Sequence, residues 1–145
     1  MKQEDKDILL KDLCARAPYG VKCQCYDGRI TATLTGVKSD TELYFYEFDW
    51  KEDDGIMDVE CCKPYLFPRS SMTEEQRNII SNKIKEIQIN NPPFGKIHNS
   101  GTDNLLNNIT LCAQWLINYY IENHFDYNGL IEKGLALDAT GLNIY

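Results

Sequence analysis

No stretch of this 145-residue chain is apolar for long enough to cross a bilayer, which takes roughly 20 residues. The opening MKQEDKDILL is charged where a secretory leader needs an apolar core. A membrane protein and a secreted one are both disfavoured, and a cytoplasmic location is expected. Basic charge is also short, with 15 Lys+Arg against 22 Asp+Glu and a formal charge of −7. Non-specific phosphate binding needs a basic face, so nucleic acid is an unpromising partner. Histidine is reduced to His98 and His124. Neither a nucleophile elbow nor a Cys-His protease signature is present. Gly129, Gly134 and Gly141 are too scattered for a phosphate-binding loop. The chain is therefore expected to be no enzyme and to need no cofactor.

What is there fits one globular domain over residues 1–145, since 43% of residues are hydrophobic and 26% charged. Character changes near Pro68. Before it, β-branched and aromatic residues alternate with polar ones; after it, apolar residues recur at helical spacing. Strands followed by helices predict an α+β fold. Its parts would be a helix and β part over 1–68, a helical part over 73–137 and a short tail over 138–145.

The first helix, capped by Asp5 or Asp7, carries Ile8, Leu9, Leu13 and Cys14 on one stripe and must stop before Pro18. Val21, Cys23 and Cys25 then alternate inward, Asp27-Gly28 signals a two-residue hairpin, and Ile30, Ala32 and Leu34 face inward on the return. Gly36 marks a bulge. A third strand is expected over 43–50 and a fourth over 56–61. Four short strands with tight turns predict a small, partly open, SH3-like barrel, with a meandering sheet covered by helices as the rival. Residues 63–68 hold two prolines and read as an edge or an extended connection. Thr73 and Gln76 form a capping box ahead of Ile79, Ile80, Ile84 and Ile87. Asp103 is expected to cap a second long helix with a broad apolar face of Leu105, Leu106, Ile109, Cys112, Ala113, Leu116 and Tyr120. A shorter helix is expected over 127–137.

Six cysteines invite a zinc reading, because Cys23, Cys25, Cys61 and Cys62 could meet if their strands pair. The spacing argues against it. Cys-x-Cys and Cys-Cys are not the Cys-x₂₋₄-Cys of a zinc knuckle, and Cys61 and Cys62 on one strand point to opposite faces. Buried core thiols explain Cys23 and Cys25, and no metal is expected. His124 and Asp126 could form a base and its orienter, but a histidine at a helix C-terminus is already favoured by the helix dipole.

Residues 49–60 are the most distinctive stretch. Asp49, Glu52, Asp53, Asp54, Asp58 and Glu60 face Lys51 alone, so this one hairpin holds −5 of the total −7. It lacks the alternating oxygen ligands of a calcium loop. The bland reading is a solvated turn. The functional reading is an acidic surface that engages a basic protein. Next to it, Leu43 and Phe45 alternate with Tyr44, Tyr46, Phe48 and Trp50. A strand apolar on both faces is either buried on both or an aromatic recognition stripe. The candidate partner-binding residues are Asp49, Trp50, Glu52, Asp53 and Asp54, with Tyr44 and Tyr46. A rival reading is a small-barrel nucleic-acid or nucleotide binder. It rests on Lys63, Arg69, Arg77, Lys83 and Lys85, and on six basic against three acidic residues over 61–100.

Residues 63–75 (KPYLFPRSSMTEE) and 124–137 (HFDYNGLIEKGLAL), with Gly36-Val37-Lys38, resemble small uncharacterised proteins encoded by phages and mobile elements of gut Bacteroidales. The resemblance covers most of the chain and brings no catalytic motif. It implies a small phage accessory protein in the host cytoplasm that acts stoichiometrically on a host protein. Counter-defence inhibitors, anti-CRISPR proteins among them, are one such group.

Overall fold

The structure, a computed structural model, describes residues 1–26, 28–38, 42–46, 55–90 and 101–145, with the backbone alone at 44–46 and 101–105. Three helices and seven strands are found among them: α1 (Gln3–Arg16), β1 (Lys22–Cys25), β2 (Ile30–Val37), β3 (Glu42–Tyr46), β4 (Ile56–Asp58), β5 (Cys62–Pro68), α2 (Glu74–Asn90), α3 (Gly101–Glu122), β6 (Phe125–Asp126) and β7 (Leu137–Asp138). The fold is α+β with a mixed sheet. No described helix is long and apolar enough to cross a membrane. Two compact units are formed, one from Met1–Arg69 with Ile121–Tyr145, the other from Ser70–Tyr120.

In the first unit the sheet runs β4-β3-β2-β1-β5-β6, with β7 also on β5. The sheet is open, and among the described residues it has seven strands where about four, in a partly open SH3-like barrel, were expected. The neighbours up to β5 are antiparallel, whereas β6 and β7 join β5 in parallel. The extra strands come from two places where sequence signals misled. Pro64 and Pro68 marked residues 63–68 as an edge, yet β5 sits inside the sheet. Pro64 is tolerated because β7 starts opposite Tyr65, so nothing on that side needs the missing N–H. The helix expected over 127–137 does not form. There the chain turns twice, through Gly129 (φ +69°) and Gly134 (φ +70°), and both Asp126 oxygens accept backbone N–H groups, from Leu130 and Ile131, at 2.9 Å. A side chain that holds the amides of the following residues in this way favours a turn over a helix.

Other local signals are met. Arg29 N–H donates to Tyr26 O at 3.3 Å around Gly28 (φ +92°); Asp27 lies outside the described residues. The β2–β3 register shifts between Leu34 and Gly36, a bulge at the expected glycine. Helix α1 ends ahead of Pro18 and a left-handed Gly20 (φ +64°), but its cap is Lys2 with no side-chain bond, and Asp5 and Asp7 lie inside it. The fourth strand, expected over 56–61, gives way to a 3-10 turn at Val59–Cys61, where Asp58 accepts from Glu60 N–H at 3.0 Å.

The core of this unit joins Leu9 and Leu13 of α1 to Val21, Cys23, Cys25, Ala32, Leu34, Leu43, Met57, Val59, Cys62 and Leu66 of the sheet region, with Leu130, Leu135 and Ala136 from the C-terminal turns. The expected inward positions on β1 and β2 are buried, except Ile30, which is half-buried. Residues 138–145 are not a loose tail. Tyr145 Oη accepts from Lys22 N–H at 3.1 Å and donates to Tyr65 O at 2.7 Å.

In the second unit the capping box forms as expected: Gln76 N–H donates to Thr73 Oγ1 at 3.2 Å and Thr73 N–H to Gln76 Oε1 at 2.9 Å. Helix α3 begins at Gly101, which places Asp103 inside its first turn and not at its cap.

Candidate functional site

Pairing of β3 with β4 is antiparallel, with Glu42 opposite Asp58, Leu43 opposite Met57 and Tyr44 opposite Ile56. Residues 47–54 are therefore the connection between two antiparallel neighbours at one edge of the sheet. Asp49, Trp50, Glu52, Asp53 and Asp54 lie in that connection, outside the described residues. Tyr44 and Tyr46 lie on β3, where Tyr44 pairs with Gly36 on β2 and Tyr46 with Thr33. The expected third strand over 43–50 is described only to Tyr46. Leu43 is buried in the core, and Gly55 (φ +69°) follows Asp54 in the left-handed geometry an Asp-Gly turn needs.

At the foot of this edge two of the six carboxylates already have a cation. Lys6 Nζ of α1 lies 3.2 Å from Glu60 Oε1 and 3.7 Å from Asp58 Oδ1. The hydrogen bond to Glu60 raises the Lys6 pKa. Because Asp58 and Glu60 are exposed, such a contact adds little stability. Its consequence is for charge: Lys6 offsets part of the negative charge of Asp58 and Glu60.

A second polar cluster was not legible as a site. Asp12 and Arg16 are fully buried. Arg16 Nε donates to Asp12 Oδ2 at 2.6 Å and Nη2 to Oδ1 at 3.2 Å. Nη2 also donates to Phe125 O at 2.8 Å, and Asn128 Nδ2 donates to Asp12 Oδ1 at 3.0 Å. The Tyr127 ring lies 5.5 Å from the guanidinium carbon. The signal was present: residues 9, 12, 13 and 16 share one face of α1, so the core stripe carries two opposite charges one turn apart. The cluster fastens α1 to residues 125–128, with both charged side chains out of reach of solvent.

The structure gives His124 and Asp126 separate partners. The Asp126 carboxylate is taken by backbone amides, and the His124 ring stacks on Tyr145 at 4.2 Å with 17° between planes. Among the described residues, His124 Nδ1 is buried with no hydrogen-bond partner. Burial, with the Arg16 charge behind it, lowers its pKa to about 4. Burial likewise pushes the Tyr145 hydroxyl up.

The cysteines behave as the spacing implied for Cys61 and Cys62, which are exposed and buried respectively. Cys25 and Cys62 face each other across β1 and β5 with sulfurs 3.8 Å apart, and Met57 Sδ lies 3.9 Å from Cys62 Sγ. The hydrogen bond with Cys25, then burial, push the Cys62 thiol above its ordinary range. Among the described residues no group of three His, Cys, Asp or Glu is placed to hold a metal ion.

Of the basic residues behind the nucleic-acid reading, Lys83 is paired with Glu86 at 2.9 Å. Arg77 donates to the Met72 and Ser70 carbonyls at 3.3 and 3.4 Å. No family model matches the chain, and no curated protein or solved structure matches it either.

Proposed function

We propose that this chain acts by binding alone, docking the β3–β4 connection onto a host protein with a basic surface. One observation carries the reading: −5 of the net −7 falls within residues 49–60, and β3–β4 pairing makes most of that stretch a single connection at a sheet edge. Concentrated charge of one sign steers association and selects a partner of the opposite sign. In this reading Asp49, Glu52, Asp53 and Asp54 steer, Trp50 anchors, and Tyr44 and Tyr46 flank the contact. An aromatic side chain within a charged rim is the usual composition of an interface hot spot.

The resemblance to phage and mobile-element proteins supplies the setting: a small acidic accessory protein in the cytoplasm of a bacterial host, with counter-defence inhibitors of the anti-CRISPR kind as the functional group. The nucleic-acid alternative draws on the basic excess over 61–100, which the Lys83–Glu86 pair weakens. A mobility-shift titration at low salt separates the two readings; no shift at micromolar protein is expected. The direct test is the double variant Asp53→Lys/Asp54→Lys. Capture of the host partner should fall at least tenfold and lose its dependence on ionic strength. Undiminished capture by the variant would end the proposal.

A further inference from the structure

Helix α3 is unusual for a helix at a surface. From Asn104 to Ile121 it contains no Asp, Glu, Lys or Arg. A surface helix normally keeps a charged face towards water, and a helix apolar over most of its circumference is normally covered on more than one side. Here one side is partly covered: Asn108 is buried, and Cys112, Trp115 and Tyr119 are half-buried. Trp115 and Tyr119 stack at 5.2 Å, and burial together with Glu75 of α2 raises the Tyr119 pKa. The other side is open. Leu106 and Ile109 are each 56% exposed and Ile117 is 41% exposed, with Ala113 exposed and Leu116 half-buried among them. At 3.6 residues per turn these five fall within an arc of about 100°.

We propose that this face is covered by the same face of a second copy of the chain, making a two-fold dimer through α3. Charge selects that occupant. The unit Ser70–Tyr120 holds four acidic residues (Glu74, Glu75, Glu86, Asp103) and four basic ones (Arg77, Lys83, Lys85, Lys96), so it is neutral, and the remainder carries the whole −7. Two copies of an acidic protein repel at most approaches, but not through a neutral unit led by an uncharged helix. A partner chosen by charge has nothing to recognise on this face, whereas an identical apolar stripe matches it. The stripe is also self-complementary. Ala113 stands at its middle, where a small side chain lets two helices cross closely. About a two-fold axis there, Leu106 and Ile109 of one copy meet Leu116 and Ile117 of the other.

The test is sedimentation equilibrium of the full chain over a micromolar dilution series. The expected mass moves from 16.7 kDa towards twice that value as concentration rises. Ile109→Lys should shift the midpoint at least tenfold to higher concentration with an unchanged far-ultraviolet dichroism spectrum. Ala113→Arg, at the crossing point, should do the same and decides the matter if the first variant misfolds. Leu111→Lys, on the opposite side of the helix and 45% exposed, should leave the dimer intact. So should Asp53→Lys/Asp54→Lys, which keeps this inference separate from the binding reading above. A mass of 16.7 kDa at every concentration, growth beyond a dimer, or a dimer indifferent to both face variants would overturn it.

Discussion

Arg16 and Asp12 show how much a single residue can hold in this protein. Each is fully buried, and together they tie α1 to the backbone and side chains of residues 125–128. Removing one partner strands the other charge in the core. Asp12→Ala should lower unfolding free energy by about 3–5 kcal/mol in urea titrations. The paired replacement Asp12→Leu/Arg16→Met should cost less than Asp12→Ala alone, because it strands no charge. His124 gives a second prediction at this scale. Its folded pKa is depressed from 6.5 to about 4, so the unfolded chain binds more protons between those values. Stability from this group is whole above pH 6.5 and is lost as pH falls towards 4. The part owed to the ring is on the order of 1–2 kcal/mol once its partial exposure is allowed for. His124 sits at φ +57°, a geometry that asparagine tolerates. His124→Asn should therefore flatten the stability profile over that window relative to the parent chain, as measured by urea unfolding at each pH.

At the scale of elements, the reciprocal bonds of Thr73 and Gln76 start α2 as the sequence motif implies. Thr73→Ala should cost about 1 kcal/mol of stability at that helix start, read as a loss of amide protection over its first turn. Local motifs of this kind were legible because their physics is short-ranged. The alternation of Val21, Cys23 and Cys25, the bulge at Gly36 and the stop before Pro18 needed only neighbouring residues. Where the outcome depended on distant partners, the sequence was a poor guide. Residues 63–68 looked like an edge because of Pro64 and Pro68, and only the limited reach of β7 makes the missing N–H harmless. Residues 127–137 hold Leu130, Ile131, Leu135 and Leu137 at near-helical spacing, yet Asp126 takes the amides that would begin the helix. Tyr145 looked like the end of a tail because its partners, Lys22 and Tyr65, lie far away in the chain. The candidate site was legible only as charge: residues 49–54 announced themselves by composition, while the register that makes them a sheet-edge connection came from the β3–β4 pairing.

For the whole molecule, charge and apolar surface are divided between two regions. The acidic excess belongs to the unit that holds the sheet, and the uncharged helix face to the neutral unit. A protein so divided can present one surface to a basic partner and another to its own copy. The central claim is that recognition runs through the acidic connection after β3. Salt-titrated capture of a host partner from lysate, with the parent chain and Asp53→Lys/Asp54→Lys compared side by side, tests it most directly. The account predicts a partner retained at low ionic strength by the parent, released as salt screens the charges, and absent from the variant. Equal retention by both chains at every salt concentration would contradict it.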